Sequence, residues 1–337
     1  MTIWRIDPTS DDFMVHEGFR RAVDAILAGD LVAVPTETVY GLAADATNAE
    51  ACARIYAAKG RPRFNPLISH LPDMEAALRI GVFDARAQAL ADAFWPGPMT
   101  LVVPRRPGAP VCDLATAGLD TIALRVPDAP IMQALARESG RPLAAPSANR
   151  SGRISPTTAQ AVNEDLGERV PVILDAGLTR VGVESTIVAL LEGEARLLRP
   201  GGIAREDLER VLGRPLAAPA AASADTPAGP GMLKSHYAPR ARVRLEADDI
   251  APGEAYLGFG PVPDAIARKA SIARTLSEKG DVEEAAARLF SDLRALDATG
   301  VASIAVAPIP KTGLGEAIND RLGRAAADRT GPGARED

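Results

Sequence analysis

The chain has 337 residues, with 38 Lys+Arg against 44 Asp+Glu and a net charge of −6. That length allows one or two domains, and 47% hydrophobic with 24% charged residues excludes a disordered or fibrous chain. The acidic balance argues against a general nucleic-acid binder, whose affinity comes from clustered Lys and Arg.

Residues 17 to 28 predict an amphipathic helix, with Phe19, Ala22, Val23, Ile26 and Leu27 on one face and Gly29 as the stop. A short apolar strand, 31 to 34, ends at Pro35, and 36 to 48 reads as a polar loop. A helix follows through Ala51, Ile55 and Tyr56, then a strand over 66 to 70 and two short helices between about 72 and 93. The run Trp95-Pro96-Gly97-Pro98 requires a turn. Further strands are expected near 99–104, 121–126, 142–146, 170–175, 184–190 and 195–199. Helices are expected near 128–138, 157–166 and 204–212. Strands mixed with helices in this way predict an α/β domain over 1–215.

Residues 217 to 230, AAPAAASADTPAGP, hold no large apolar side chain and read as a linker. With the chemically richer Lys234-Ser235-His236-Tyr237-Ala238-Pro239, the segment 216–240 is a candidate lid on a flexible tether. A second α/β pattern occupies 241–330. It has strands near 242–246, 254–259, 272–276 and 301–307, a helix through Val282, Ala286, Leu289, Leu293 and Leu296, and a last helix near 314–327.

Cys52 and Cys112 are too few for a disulfide framework or a Cys-based zinc site. The N-terminus lacks the apolar core of a signal peptide. No apolar run approaches the roughly 20 residues of a membrane helix, so a cytoplasmic location is expected. Phosphate-loop, dinucleotide, nucleophile-elbow and zinc-protease signatures are missing. His16, His70 and His236 lie far apart with no carboxylate cluster beside them, so no protein-held metal is expected. A divalent ion would arrive as Mg²⁺ on a nucleotide.

What remains is a series of polar, Gly/Pro-punctuated segments. Lys59 stands before Gly60 and Arg61 at a helix end, and it is the only lysine before Lys234 in a chain with five Lys and 33 Arg. Two readings stand for it: a basic helix C-terminus favoured by the helix dipole, or an anion clamp for phosphates. In TIALRVP (121–127), Ile122, Leu124 and Val126 alternate with Thr121, Ala123 and Arg125. Arg125 belongs either to a surface strand or to a cleft where it holds a carboxylate bidentately. In APSANRSGRISPT (145–157), Ser155 or Thr157 is expected to cap the next helix, and the Ser/Gly-rich loop before it makes an anion site. Ser185 and Thr186 read as ordinary strand hydroxyls, and His70 as a structural histidine.

Together, PTETVYGL (35–42), KGRPRFNPLISH (59–70), WPGPMTLV (95–102), APSANRSG (145–152), GVESTIV (182–188) and LLRPGGI (197–203) resemble, in order and spacing, the YrdC-type threonylcarbamoyl-AMP synthases in their longer, two-domain form. The resemblance implies a twisted, open mixed sheet with a large cleft, followed by a smaller Rossmann-like α/β domain. It implies synthesis of L-threonylcarbamoyladenylate from L-threonine, bicarbonate and ATP with release of pyrophosphate. The product would feed N6-threonylcarbamoyladenosine formation in tRNA through a downstream transferase. By resemblance, Thr38, His70, Arg125, Ala145 and Ser185 surround threonine. Arg61, Asn65, Thr121, Ser147, Ser155, Arg199 and Tyr237 surround ATP, with Lys59 and Arg61 at the reacting phosphates. The alternatives are an RNA- or tRNA-binding module without catalysis and a domain transferring the carbamoyl group of carbamoyl phosphate.

Overall fold

The computed structural model describes residues 2–10, 12–217 and 237–327. The expected linker and the Lys234-Ser235-His236 part of the candidate lid lie outside the described residues. By contacts, the described residues form two compact units, 2–151 with 155–217, and 152–154 with 237–327. No described helix is long and apolar enough to cross a membrane.

The first unit is built on strands β1 (Thr2–Arg5), β2 (Val32–Val34), β3 (Gly41–Asp45), β4 (Ile68–His70), β5 (Met99–Pro104), β6 (Thr121–Arg125), β7 (Leu143–Ala144), β8 (Val172–Asp175), β9 (Thr186–Ala189) and β10 (Arg196–Arg199). They make one ten-stranded sheet in the order β1-β8-β2-β3-β7-β4-β6-β5-β9-β10. Pairings are mixed: β4 and β6 run parallel, whereas β6 and β5 run antiparallel. The segment 36–48, expected as a loop, contains β3. Its Gly-Leu-Ala-Ala-Asp run has no β-branched residue and no alternation to betray a strand, because every residue of it is buried.

The pleat decides what each sheet face carries. Ile122, Leu124 and Val126 enter the large core with Leu101, Val103, Val188 and Leu197, as the alternation in the sequence required. On the opposite face, helices Glu17–Leu27 and Pro130–Ser139 cover one half of the sheet, with Phe19, Ile26, Ile131 and Leu135 packed on Val32, Val34, Leu143 and Leu174. The other half of that face carries, among the described residues, a small cluster of Ile68, Val102, Ala123, Ile187, Ala189 and Leu198, every member of it from a strand. His70 and Arg125 are register partners on β4 and β6, so they stand side by side on this face where the helical cover ends.

The helix Ala49–Lys59 starts on the side chain of Asn48 and stops at Gly60, whose φ of 62° is the left-handed conformation a glycine adopts without strain. The helix Ala159–Leu166 is capped by Thr158, which accepts from the Ala161 N–H. The expectation of Ser155 or Thr157 as cap is therefore corrected. Ser155 is engaged elsewhere, and the cap comes from the next hydroxyl along. The two cysteines are free thiols.

In the second unit, β11 (Arg242–Arg244), β12 (Ala255–Gly258), β13 (Ile272–Thr275) and β14 (Ser303–Val306) form an all-parallel sheet in the order β11-β14-β12-β13. The helix Val282–Asp297 buries Ala286, Leu289, Leu293 and Leu296, the stripe its sequence spacing predicts. A parallel sheet with helical crossovers is the arrangement expected of a Rossmann-like unit.

Candidate active site

Arg125 ends β6 with its side chain 4% exposed. The alternative of a surface strand is corrected here: β6 is an interior strand between β4 and β5. The guanidinium is already engaged. Nη2 donates to Glu37 Oε1 at 2.8 Å and to Thr38 Oγ1 at 3.0 Å, and Nε donates to the Gly97 carbonyl at 3.3 Å. A guanidinium has five N–H donors, so the two on Nη1 are left, and they meet no acceptor among the described residues. The side-on, two-nitrogen grip expected from sequence is corrected. Nη2 already holds a carboxylate, and it is that of Glu37.

The hydroxyls beside Arg125 have fixed proton directions. Thr36 Oγ1 lies 2.6 Å from the Val39 carbonyl, which only accepts, so its single hydrogen goes there. Thr38 Oγ1, 2.8 Å from Thr36 Oγ1, must then donate to Thr36 while accepting from Arg125. Thr38 therefore offers a ligand a lone pair and no hydrogen. The Thr36–Val39 turn is the local structure that makes this possible, with the Thr38 and Val39 N–H groups both turned to Thr36 Oγ1.

His70 is 3% exposed, and its Nδ1 lies 3.3 Å from the Ile68 carbonyl. A carbonyl cannot donate, so Nδ1 carries the hydrogen and a neutral ring presents Nε2 as an acceptor. Burial, with the Arg125 guanidinium adding to it, pushes the imidazole down to about 3. The sign follows from linkage. Below the ordinary histidine value of 6.5 the unfolded chain takes up a proton that the fold refuses, so this residue's contribution to stability is lost as pH falls from 6.5 towards about 3. The variant His70→Asn, which keeps a donor in the Nδ1 position, is expected to lose less stability than the wild type over that interval. Urea unfolding followed by the fluorescence of Trp4 and Trp95, both in the first unit, checks it. Parallel losses in the two proteins would refute the assignment of a neutral ring.

A second group surrounds Ser185. Its hydroxyl is 2.8 Å from Thr100 Oγ1, and Arg199 donates through Nε and Nη2 to the Ser185 carbonyl at 3.1 and 2.8 Å. All three side chains are buried. The chain before β5 joins this group to the first: Gly97 accepts from Arg125, and Pro98 accepts from the Thr186 N–H at 2.9 Å. Thr186 is committed elsewhere, exchanging bonds with Ile203.

A third group is centred on Lys59. It is 4% exposed and donates to the Ser147 carbonyl at 2.5 Å, the Asn149 carbonyl at 2.6 Å and Asn149 Oδ1 at 3.4 Å. Burial, then the nearby Arg61 guanidinium, push this ammonium well below the usual lysine range. Three oxygen acceptors matched to three N–H donors oppose that by favouring the charged form. The ammonium therefore ties the 145–151 loop to its helix, and the anion-clamp reading is corrected for this side chain, whose three N–H donors go to oxygens of the chain itself. Ser151 returns a bond to the Lys59 carbonyl at 2.7 Å. Arg61 braces its own loop, donating to the carbonyls of Asn65 and Pro66 at 3.2 and 2.9 Å. Asn65 is buried, and its Oδ1 has no partner among the described residues.

The remaining candidates divide. Ala145 is buried next to β4, its N–H on the Ile68 carbonyl at 3.0 Å. Ser147 is half-buried on the loop tied by Lys59. Ser155 is fully buried and donates to Glu184 Oε1 at 2.5 Å. Thr121 shares the face of Arg125 but begins the strand, four residues or about 13 Å away. Tyr237 belongs to the second unit, where it is 1% exposed, stacked on Phe290 at 5.5 Å and covered by the Arg321 guanidinium at 5.2 Å. Sequence reasoning did not nominate Glu37, Thr100 or Glu184, although all three lie inside segments it singled out. A separate pocket of about 160 Å³, lined by Pro8, Pro35, Ile131, Thr179 and Arg180, holds none of the nominated residues and borders the site through Thr36 and Glu37.

Residues 24–201 match the Sua5/YciO/YrdC family, described under telomere recombination, and residues 203–327 match the family described as the threonylcarbamoyl-AMP synthase C-terminal domain. A threonylcarbamoyl-AMP synthase of Bacillus subtilis is 39% identical over 97% of this chain and 98% of its own length. One of Pyrococcus abyssi is 42% identical over 92% of this chain and 94% of its own. The crystal structure of P. abyssi Sua5 complexed with L-threonine superposes with a TM-score of 0.87 at 39% identity, covering 97% of this chain and 98% of that one.

Proposed function

From a chain that belongs to the threonylcarbamoyl-AMP synthase family, in its two-domain Sua5 form, we infer an enzyme that makes L-threonylcarbamoyladenylate from L-threonine, bicarbonate and ATP and releases pyrophosphate. The observation that carries the reading is the span of the likeness. It covers 97% of this chain and 98% of a curated synthase, so neither domain of the relative lacks a counterpart here. The adenylate supplies N6-threonylcarbamoyladenosine formation in tRNA, through a downstream transferase in the cytoplasm.

The chemistry asks for positioning more than for a protein nucleophile. The amine of threonine attacks the bicarbonate carbon and water leaves. A carbamate oxygen then attacks the α-phosphorus of ATP, and pyrophosphate departs. Arg125 meets the threonine carboxylate through Nη1. The lone pairs of Thr38 and His70 Nε2 take the hydrogens that the hydroxyl and amine bring, and Ser185 and Ala145 complete that pocket. Arg61, Asn65, Thr121, Ser147, Ser155, Arg199 and Tyr237 are assigned to the nucleotide, which brings Mg²⁺ on its phosphates. Lys59 acts at the phosphates by holding the loop of Ser147. Domain limits of 1–215 and 241–330, with 216–240 as a cover that keeps water from the carbamate, complete the proposal.

Pyrophosphate release with each reactant omitted in turn tests it. Release should require threonine, bicarbonate and ATP together. Turnover indifferent to threonine or to bicarbonate would overturn the reading, and carbamoyl phosphate replacing both ATP and bicarbonate would favour the transfer alternative. Amino-acid choice follows from the acceptors at Thr38 and His70. Serine keeps the hydroxyl and loses a methyl, at a cost of about 1–3 kcal/mol, whereas 2-aminobutyrate loses the hydroxyl and leaves those acceptors unpaired, a larger penalty. The expected order of kcat/KM is threonine, serine, 2-aminobutyrate. Equal rates for threonine and 2-aminobutyrate would remove the two acceptors from the pocket.

A further inference from the structure

Glu37 stands between Thr36 and Thr38 with its side chain 1% exposed. One carboxylate oxygen, Oε1, takes both the Arg125 Nη2 hydrogen at 2.8 Å and the Asp128 N–H at 3.1 Å. The other, Oε2, is buried and has no hydrogen-bond partner among the described residues. Leaving a buried carboxylate oxygen unpaired is costly, so stability alone does not account for an acid here. The carboxylate does, however, fix the guanidinium. With Glu37 and Thr38 on Nη2 and Gly97 on Nε, the plane and the rotation of Arg125 are set, and one nitrogen is left to face a ligand.

We propose that Glu37 is a positioning residue for the amino-acid carboxylate: it occupies the Nη2 edge of Arg125, so that the substrate is held end-on by Nη1 alone. The proposal rests on the reading that Arg125 meets the carboxylate of threonine. It has two consequences. A carboxylate held by one nitrogen has a single angle of approach relative to the acceptors at Thr38 and His70, which places the amine as well as the acid. The negative charge of Glu37 also offsets that of the guanidinium and keeps its grip on the substrate weaker than a free arginine's would be.

The test is steady-state pyrophosphate release by the full-length protein, with threonine varied at saturating ATP and bicarbonate and then ATP varied at saturating threonine. Glu37→Ala removes the placement together with the offsetting charge; the loss of placement outweighs the gain in charge, so the threonine KM is expected to rise at least tenfold while the ATP KM moves less than twofold. Glu37→Gln keeps an oxygen for Arg125 and Asp128 and drops the charge, and it is expected to leave the threonine KM at or below that of the wild type. Equal rises in Glu37→Ala and Glu37→Gln would overturn the proposal, because charge and not placement would then matter. So would a common rise of both KM values, or no change in either. Should Glu37→Ala fail to fold, Glu37→Asp, which withdraws the carboxylate by one methylene, replaces it with the same expected split. A wild type without threonine-dependent turnover would refute the functional reading itself. A wild type that turns over beside unaffected variants would refute only the role of Glu37.

Discussion

Arg125→Met is expected to cost the first unit about 3–5 kcal/mol of stability, because it leaves the Glu37 carboxylate buried with no opposing charge. Urea unfolding followed through Trp4 and Trp95 reads this directly, since both tryptophans lie in that unit. The same variant should lose threonine-dependent turnover by thirtyfold or more, the equivalent of about 2 kcal/mol for a truncated buried charge contact. The two losses separate in the double variant Glu37→Gln, Arg125→Met. Most of the stability should return, because no isolated charge is left in the interior, while turnover should stay at the level of the single variant. A single variant as stable as the wild type would mean that the ion pair is not buried as described. Recovery of turnover in the double variant would mean that Arg125 does not hold the substrate.

Gly201→Ala is the second large effect. A Cβ at Gly201 would lie 2.3–2.4 Å from the Glu184 carbonyl oxygen, the Ser185 carbon and the Thr186 nitrogen, all of them backbone. Backbone cannot swing aside as a side-chain end can, so the strand start that carries Ser185 must move. A cost of about 3 kcal/mol, at the upper end for overpacking, is expected, together with loss of the Thr100–Ser185–Arg199 arrangement. The neighbouring Gly202→Ala is the control. Its Cβ would press on the side chains of Pro98 and Val181 at 2.8 and 2.9 Å, contacts that are longer and involve no backbone atom. Unfolding midpoints should therefore fall in the order wild type, Gly202→Ala, Gly201→Ala. The reverse order for the two glycines would contradict the packing described.

Much of the fold was legible in the sequence where burial is one-sided. The helix Glu17–Leu27, the alternation along Thr121–Arg125 and the stripe on Val282–Asp297 follow from period alone. β3 was not legible, because small residues buried on both faces leave no period to read. The cap at Thr158 was missed for a different reason. Ser155, Thr157 and Thr158 all carry suitable hydroxyls, and only the pairing of Ser155 with Glu184, 29 residues away, removes the first from contention. Glu37 shows the limit most plainly. It is the single acid in PTETVYGL, and that oddity was a usable signal. Its partner Arg125 is 88 residues distant, and only the folded sheet brings them together. The segments that carry these residues were readable as a set; the direction of each hydrogen bond among them was not.

The bonds of Lys59 bear on the composition of the whole chain. Three oxygens, on Ser147 and Asn149, converge on one nitrogen. An ammonium meets them as a tripod, its hydrogens splayed from a single point. A guanidinium is flat and carries its hydrogens around a rim, so it cannot aim three of them from one apex. Thirty-three of the 38 cationic residues here are arginine, a bias that meets a steric barrier at this position. Lys59→Arg should therefore behave as a loss of the tie rather than as a conservative exchange, with the 145–151 loop released and the KM for ATP raised more than that for threonine. Shape, in addition to charge, keeps lysine at residue 59.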